Sequence, residues 1–234
     1  MSPGILDAIK LIWADEAFQN TVRRIDASDT VFTHDSDAYY SSRLDRILSP
    51  EYVPTMEDIL WCRKATTGFY TTQLTFQGMK YEVWDVGGQK SAIWKYIYTL
   101  DDVPTVLYTF DVTAYPKFLQ DGDNSASRMD EQILLLQSLV ESRSCREATI
   151  IIVLTKLDLL EDYLHAYPVD EYFEHYSCDH QSENEMEYFL KYIGERLESL
   201  VQSSSCRGQV FTVNTTLVDV DRRNPAGQIL KIIY

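Results

Sequence analysis

The chain has 234 residues, of which 45% are hydrophobic and 24% are charged, and its net charge is −15. This composition is ordinary for a globular protein and allows one sizeable core with a smaller second unit. The acidic balance, without any cluster of Lys and Arg, excludes the basic surface that nucleic-acid binding requires, and the longest apolar stretch, residues 148–154, is too short to span a bilayer.

The first residues and the cysteines argue against a secreted, lipid-anchored or disulfide-rich protein. The N-terminus carries no basic stretch followed by an apolar run, so no signal peptide is expected, and Ser2 stands where N-myristoylation requires Gly. The four cysteines are far apart and show no CxxC spacing, which predicts reduced thiols. His175, Cys178 and His180 lie close together, but their spacing matches no standard zinc pattern, so we favour a polar surface loop over a metal site.

Helical periodicity dominates residues 5–47, where apolar side chains recur every three or four positions. Asp35 or Ser36 would cap the second of these helices. The pattern ends near Pro54. We therefore predict a separate all-α unit over residues 1–54.

The remaining chain, residues 55–234, opens with a helix-start signal. Thr55 is followed three positions later by Asp58, and this spacing predicts a capping box in which the two residues satisfy each other's backbone N–H groups. One short helical turn is expected to follow. Beyond Trp61 the signal changes to β-strand.

Two runs rich in β-branched and aromatic residues, 69–76 and 79–85, are separated only by Gln77-Gly78. This pattern predicts an antiparallel hairpin with a two-residue turn. In such a hairpin the numbers of paired residues sum to about 155. Asp85 should therefore face Tyr70.

Three further predicted strands alternate with helical patterns, which indicates an α/β fold with a mostly parallel sheet and helices on both faces. The hairpin would add an antiparallel edge strand. The last two strands are nearly continuous apolar runs, typical of strands that are covered on both faces. The strands are expected at 105–111, 148–154 and 209–213, and the helices at about 125–142 and 182–202.

Polar clusters follow the strands at residues 84–89, 155–158 and 214–216. Ligands of an open α/β sheet bind at the carboxyl ends of its strands, so these clusters should share one edge. The hairpin should also bring Thr66 to the same end as Asp85. A hydroxyl and a carboxylate beside a phosphate suit Mg²⁺, which keeps several waters and takes few protein oxygens.

The residue types then suggest separate roles at a phosphate site. Asp85 would hold Mg²⁺ through water and Thr66 would ligate it directly. Gly87 and Gly88 allow the backbone to approach a terminal phosphate closely. Gln89 would orient an attacking water.

Two further roles concern the reacting phosphate and the base. Arg63 would stabilise the charge that develops on the transferring phosphoryl group, an effect worth on the order of 10³–10⁵ in rate for such an arginine. Asp158 offers a carboxylate that can accept from two N–H groups of guanine, a pattern that adenine lacks. The stem of Lys156 would lie along the base.

These motifs resemble three of the five guanine-nucleotide motifs of Ras-like GTPases. Asp85-Val86-Gly87-Gly88-Gln89 alone also fits Arf-type small GTPases, but that family does not explain the helical N-terminal unit. The remaining stretches resemble the helical domain, first switch and second-switch helix of heterotrimeric G protein alpha subunits. They are Ile12-Trp13-Ala14-Asp15-Glu16, Asp35-Ser36-Asp37-Ala38-Tyr39-Tyr40, Tyr52-Val53-Pro54-Thr55 with Asp58-Ile59-Leu60, and Ser127-Arg128-Met129-Asp130-Glu131.

The resemblance implies a Ras-like GTPase domain preceded by part of a helical domain. It implies a signalling switch that binds GTP and GDP with Mg²⁺ and hydrolyses GTP downstream of G protein-coupled receptors. The implied partners are a beta-gamma dimer, a receptor and an effector, at the cytoplasmic face of the plasma membrane. The implied nucleotide contacts are Ser36, Leu60, Trp61, Cys62, Arg63, Lys64, Ala65, Thr66, Asp85, Val86, Gly87, Gly88, Gln89, Thr155, Lys156, Leu157, Asp158 and Asn214, with Arg63 and Gln89 catalytic and Thr66 and Asp85 at the metal.

The sequence also departs from that family. None of the nine glycines is followed by Lys, so the 234 residues contain no G-x-x-x-x-G-K-[ST] phosphate loop. We therefore expect an N-terminally truncated member that lacks the first strand, phosphate loop and first helix of the GTPase domain, the partner-binding N-terminal helix, and part of the receptor-reading tail.

Single positions differ too. Thr155 replaces the usual Asn of the guanine motif, and Asn214 falls in a segment that replaces a Cys-Ala-Thr motif. Ile93 stands where the family has an Arg that pairs with the acid seen here as Glu131. The alternative is a non-enzymatic interaction module that binds nucleotide weakly or not at all.

Overall fold

A computed structural model of the chain describes residues 3–27, 35–62, 64, 66–87, 103–117, 127–178 and 184–215. The chain divides into two compact units. The first is Met1–Arg63 with Ala114–Asp130, and the second is Lys64–Thr113 with Glu131–Tyr234. The predicted domains 1–54 and 55–234 stay predictions.

The described residues of the first unit up to Trp61 form helices, as the periodicity of residues 5–47 predicted. Helices α1 and α2 pack against each other, and at their junction the rings of Trp13 and Phe18 meet edge to face, with centroids 5.8 Å apart. Ser36, one of the two predicted caps, lies inside α3. The helices are α1 (Pro3–Ala14), α2 (Glu16–Ala27), α3 (Asp35–Ser41), α4 (Leu44–Ile47) and α5 (Met56–Trp61).

The predicted capping box opens α5. The Asp58 N–H donates to Thr55 Oγ1 at 3.2 Å, and the Thr55 N–H donates to Asp58 Oδ2 at 2.7 Å. Two backbone donors that a helix start would leave unpaired are therefore satisfied by side chains. The short helical turn predicted after Thr55 is confirmed.

The hairpin is confirmed in its position and in its register. Strands β1 (Phe69–Phe76) and β2 (Met79–Val86) pair antiparallel, and Tyr70 lies opposite Asp85. Gln77 and Gly78 both have positive φ, 49° and 83°. Two such residues match the right-handed twist of the flanking strands, which explains why a two-residue loop suffices.

A three-stranded parallel sheet forms the centre of the second unit, in the order β3-β4-β5. Among the described residues the hairpin is not hydrogen-bonded to this sheet, so the prediction that it forms the sheet's edge is wrong. Within the described residues, no strand is hydrogen-bonded to both β2 and β3. The strands are β3 (Thr105–Asp111), β4 (Thr149–Thr155) and β5 (Val210–Asn214).

Burial follows the number of neighbours that each strand has. The central strand β4 is buried from Ile150 to Thr155, as its continuous apolar run predicted. In β5 only Val213 is buried. Val210, Phe211 and Thr212 are half-buried, so within the described residues β5 is covered less completely than its apolar run predicted.

Of the three helices in the second half, α6 (Arg128–Glu141) and α8 (Glu185–Ser203) correspond to the two helical patterns predicted at about 125–142 and 182–202, and α7 (Leu157–Ala166) was not predicted. Helix α8 packs against β5, β4 and α7, and it buries Leu190, Ile193, Leu197 and Val201 of its predicted stripe. Within the described residues, no helix combines the length and the apolar composition needed to cross a membrane.

Candidate functional site

The open end of the hairpin brings a hydroxyl and a carboxylate together. Thr66 Oγ1 lies 3.4 Å from Asp85 Oδ2. The Gly87 N–H donates to the Gly68 carbonyl at 3.0 Å, which extends the ladder past the last strand pair. Asp85 is exposed and Thr66 is half-buried, so a ligand can reach both oxygens.

Gly68 makes this juxtaposition possible. Its φ is +116°, in a region that side-chain-bearing residues rarely adopt, and it directly precedes β1. The chain turns there, so that Thr66 faces the end of β2. The Tyr70 hydroxyl donates to the Thr67 carbonyl at 3.3 Å and closes the turn.

A second polar group lies at the carboxyl edge of the parallel sheet, where two of the three predicted clusters meet, while the cluster that begins at residue 84 belongs to the separate hairpin among the described residues. Lys156 follows β4 directly and has φ of +63°, which turns the chain into α7. Asp158 is exposed in the first turn of α7, while Leu157 is buried. Asn214 ends β5 and is exposed, opposite Leu154 in the register.

The Thr155 hydroxyl is used inside the sheet. It donates to the Phe110 carbonyl at 3.1 Å and so links β4 to β3. Thr155 itself is buried, with 7% of its surface exposed. This bond gives the Thr that replaces the usual Asn a structural reason to be there.

The sequence did not single out Asp111, the last residue of β3. Lys156 Nζ lies 3.0 Å from Asp111 Oδ2. The other carboxylate oxygen accepts from the Thr113 backbone N–H at 2.9 Å and from its hydroxyl at 2.7 Å. Its position in the sequence could have identified it, because Asp111 ends a predicted strand and the other candidate site residues also lie at or after strand ends.

The resemblance also predicts nucleotide-contacting residues in the first unit. Those that the structure describes lie in α3, in α5 and directly after α5. Leu60 is 39% exposed, and the ring of Trp61 stacks on Tyr39 with 5.2 Å between centroids and 12° between planes. Cys62 is exposed and Ser36 is half-buried. Their contact with a nucleotide stays a prediction.

The acid at the start of α5 is strongly held in its charged form. Hydrogen bonds from Arg46, the Thr55 backbone and the Tyr39 hydroxyl hold the pKa of Asp58 well below its usual range, although burial opposes this shift. Asp58 is 3% exposed. An ionised, fully hydrogen-bonded carboxylate therefore anchors the helix that leads towards Arg63.

Several predicted residues lie outside the described part of the chain. They include both predicted catalytic residues, and their roles stay predictions. In the part that the structure describes, no three His, Cys, Asp or Glu side chains are grouped as a metal site would require. The residues outside are Arg63, Ala65, Gly88, Gln89, Ile93 and His180.

Comparisons with known proteins agree with the motifs. The family model for the G-protein alpha subunit matches residues 1–227. The G-protein complex alpha subunit gpaA of Aspergillus fumigatus is 31% identical over 219 residues, which are 94% of this chain and 59% of the relative. The guanine nucleotide-binding protein alpha-2 subunit of Mycosarcoma maydis is 32% identical over 186 residues, 80% of this chain and 51% of the relative.

A third relative is the guanine nucleotide-binding protein alpha-16 subunit of Caenorhabditis briggsae. It is 30% identical over 213 residues, which cover 91% of this chain and 58% of the relative. The chain thus spans between half and three fifths of the length of these three relatives. On the family match and these identities, the chain belongs to the G-protein alpha subunit family.

Proposed function

We propose that this chain binds guanine nucleotides and acts as a signalling switch that hydrolyses GTP to GDP downstream of G protein-coupled receptors. The observation that carries the proposal is the approach of Thr66 and Asp85 at the open end of the hairpin. A hydroxyl and an accessible carboxylate at the mouth of a strand-end site are suited to a metal-bound phosphate.

The pair fits Mg²⁺ in chemistry and in number. Both groups offer oxygen, and one direct ligand with one water-mediated contact leaves room for the waters and phosphate oxygens that Mg²⁺ retains. Thr66 would ligate the ion directly and Asp85 would hold it through water. When bound, Mg²⁺ supplies positive charge beside the phosphate oxygens, where negative charge develops during transfer.

Base recognition belongs to the edge of the parallel sheet. Asp158 is exposed at the first turn of α7 and can accept from two N–H groups of guanine. Lys156 is half-buried beside it, and its aliphatic stem can cover a flat base. The exposed end of β5 at Asn214 provides a third side for the same base.

The hydrolytic step follows from the family resemblance. Gln89 would orient a water whose oxygen bonds to the terminal phosphorus while the bond from that phosphorus to the bridging oxygen breaks. GDP would leave with the bonding electrons, and the proton of the water would pass to the phosphate product or to solvent. Arg63 would stabilise the charge that develops on the transferring phosphoryl group. Gly87 and Gly88 would let the backbone approach the terminal phosphate.

The partners follow from the same family. A beta-gamma dimer, a receptor and an effector are proposed as partners of the switch, at the cytoplasmic face of the plasma membrane. Nucleic acid is not proposed as a partner, because the chain is strongly acidic and would repel phosphate groups.

The test is binding of a fluorescent, non-hydrolysable GTP analogue to the 234-residue chain with and without Mg²⁺. We expect Mg²⁺-dependent binding, weakened about tenfold or more by Asp85→Asn. Glu82→Gln is the matched control, because Glu82 lies on the same strand but on its opposite face. A folded chain that binds no analogue contradicts the proposal and favours the non-enzymatic interaction module.

A further inference from the structure

We propose that Asp111 is a positioning residue that holds Lys156 in place for the nucleotide base. The inference rests on the proposed function, because it concerns how the same site binds guanine nucleotides. Its basis is an ion pair at the carboxyl edge of the sheet, where Lys156 Nζ lies 3.0 Å from Asp111 Oδ2.

The register of the sheet creates this pair. Asp111 ends β3 directly opposite Thr155, the last residue of β4, and Lys156 follows Thr155 in the chain. The positive φ of Lys156 turns its backbone out of the strand direction. A long, flexible side chain that starts from a turn has many accessible rotamers, so it needs a fixed partner to adopt one orientation.

Asp111 is itself fixed before it contacts the lysine. Its Oδ1 accepts from the Thr113 N–H at 2.9 Å and from the Thr113 hydroxyl at 2.7 Å, and Thr113 is fully buried. Lys156 contacts the other oxygen, Oδ2. The hydrogen bonds to Thr113 therefore restrain the carboxylate that the lysine contacts.

The backbone of Asp111 is anchored as well. Its N–H donates to Gln132 Oε1 at 2.7 Å, and its carbonyl accepts from Gln132 Nε2 at 3.3 Å. The Gln132 side chain, which belongs to α6, thus hydrogen-bonds the backbone at the end of β3 as a neighbouring strand would. The Tyr108 hydroxyl donates to the Gln132 carbonyl at 2.6 Å and fixes the helix end of this bridge.

The ion pair is partly exposed, as a positioning pair at a ligand site has to be. The side chains of Lys156 and Asp111 are 33% and 25% exposed, so a ligand can reach them while solvent screens them less than a surface pair. A bound base would cover the lysine stem and displace further water. The ion pair would then hold the stem flat against the ring at little additional cost in entropy.

The test is a double-mutant cycle read by binding of a fluorescent GTP analogue in the presence of Mg²⁺. The four chains are the parent, Asp111→Asn, Lys156→Met and the double variant. We expect Asp111→Asn to weaken binding about 3- to 10-fold in the parent background and to have no further effect beside Lys156→Met. Competition by tripolyphosphate, which has no base, should be unchanged by Asp111→Asn.

A control separates positioning from general damage to the sheet. Glu147→Gln removes the charge from an exposed ion pair with Arg207 near the opposite end of β4, and it should leave binding unchanged. Equal losses from Asp111→Asn in both lysine backgrounds, or no loss at all, overturn the inference while the proposed function stands. Absence of binding by the parent chain overturns the proposed function, and the inference with it.

Discussion

Arg46 and Asp58 form a two-point ion pair that joins α4 to α5. Arg46 Nη1 donates to Asp58 Oδ2 at 2.9 Å and Nη2 donates to Oδ1 at 2.5 Å. The Tyr39 hydroxyl donates to the same carboxylate at 2.8 Å. Since α5 leads directly to the predicted nucleotide contacts, this pair sets the course of the chain that precedes Arg63.

Removing the charge of Asp58 should destabilise the protein. Asp58 is buried and the Arg46 side chain is 41% exposed. Asp58→Asn removes the ion pair and leaves a buried side chain with fewer hydrogen bonds, so we expect the melting midpoint to fall by about 5 °C. Asp45→Asn is the matched control on α4, because Asp45 pairs with Lys10 but its side chain is 84% exposed. The control should change the midpoint little. Equal changes in both variants, measured by thermal unfolding, would contradict this role of Asp58.

The effect of Asp58→Asn should depend on pH in one direction. Because the Asp58 carboxyl has a lowered pKa in the folded chain, its contribution is fully present above the unfolded-state pKa of about 3.9 and is lost as pH falls below it. The stability difference between the parent and Asp58→Asn should be constant from about pH 8 to 5 and shrink below about pH 4. Unfolding midpoints across that range test this, and a difference that grows on acidification would refute it.

Local patterns predicted the hairpin better than they predicted the sheet. Gln77-Gly78 limits the turn to two residues, and this fixes every pair in β1 and β2, including Tyr70 with Asp85. The exposure of β5 depends on strands and helices from elsewhere in the chain. An apolar run alone could not reveal it.

The sequence also predicted the candidate site only in part. Positions at strand ends identified Lys156, Asp158 and Asn214, because parallel strands deliver their carboxyl ends to one edge. The partner of Lys156 depends on how β3 and β4 are aligned. That alignment is set by packing between distant segments, so Asp111 was not predicted.

Two glycines should respond to alanine with opposite signs. At Gly208 an added Cβ would lie 1.8 Å from the Ala148 carbonyl oxygen, a backbone atom. At Gly194, inside α8, it would lie 3.6 Å from Thr212 Cγ2, an ordinary contact. We expect Gly208→Ala to destabilise by about 1–3 kcal/mol or more and Gly194→Ala to stabilise by roughly 0.5–1 kcal/mol.

Urea unfolding of both variants beside the parent measures this difference, because the midpoint reports stability when the slope is unchanged. A stabilising Gly208→Ala would contradict the close contact between residue 208 and the Ala148 backbone. A destabilising Gly194→Ala would mean that α8 packs more tightly against β5 than described.

The central claim, that Asp158 reads a guanine base at this sheet edge, is tested most directly by exchanging the base. Binding of guanosine and xanthosine triphosphate analogues is compared for the parent, Asp158→Asn and Asp162→Asn, an exposed control one turn along α7. Xanthine carries a carbonyl where guanine has an amino group, so an Asn amide suits it and a carboxylate does not. We predict that only Asp158→Asn reverses the preference towards xanthosine, and an unchanged preference in that variant, or no binding by the parent, would contradict the account.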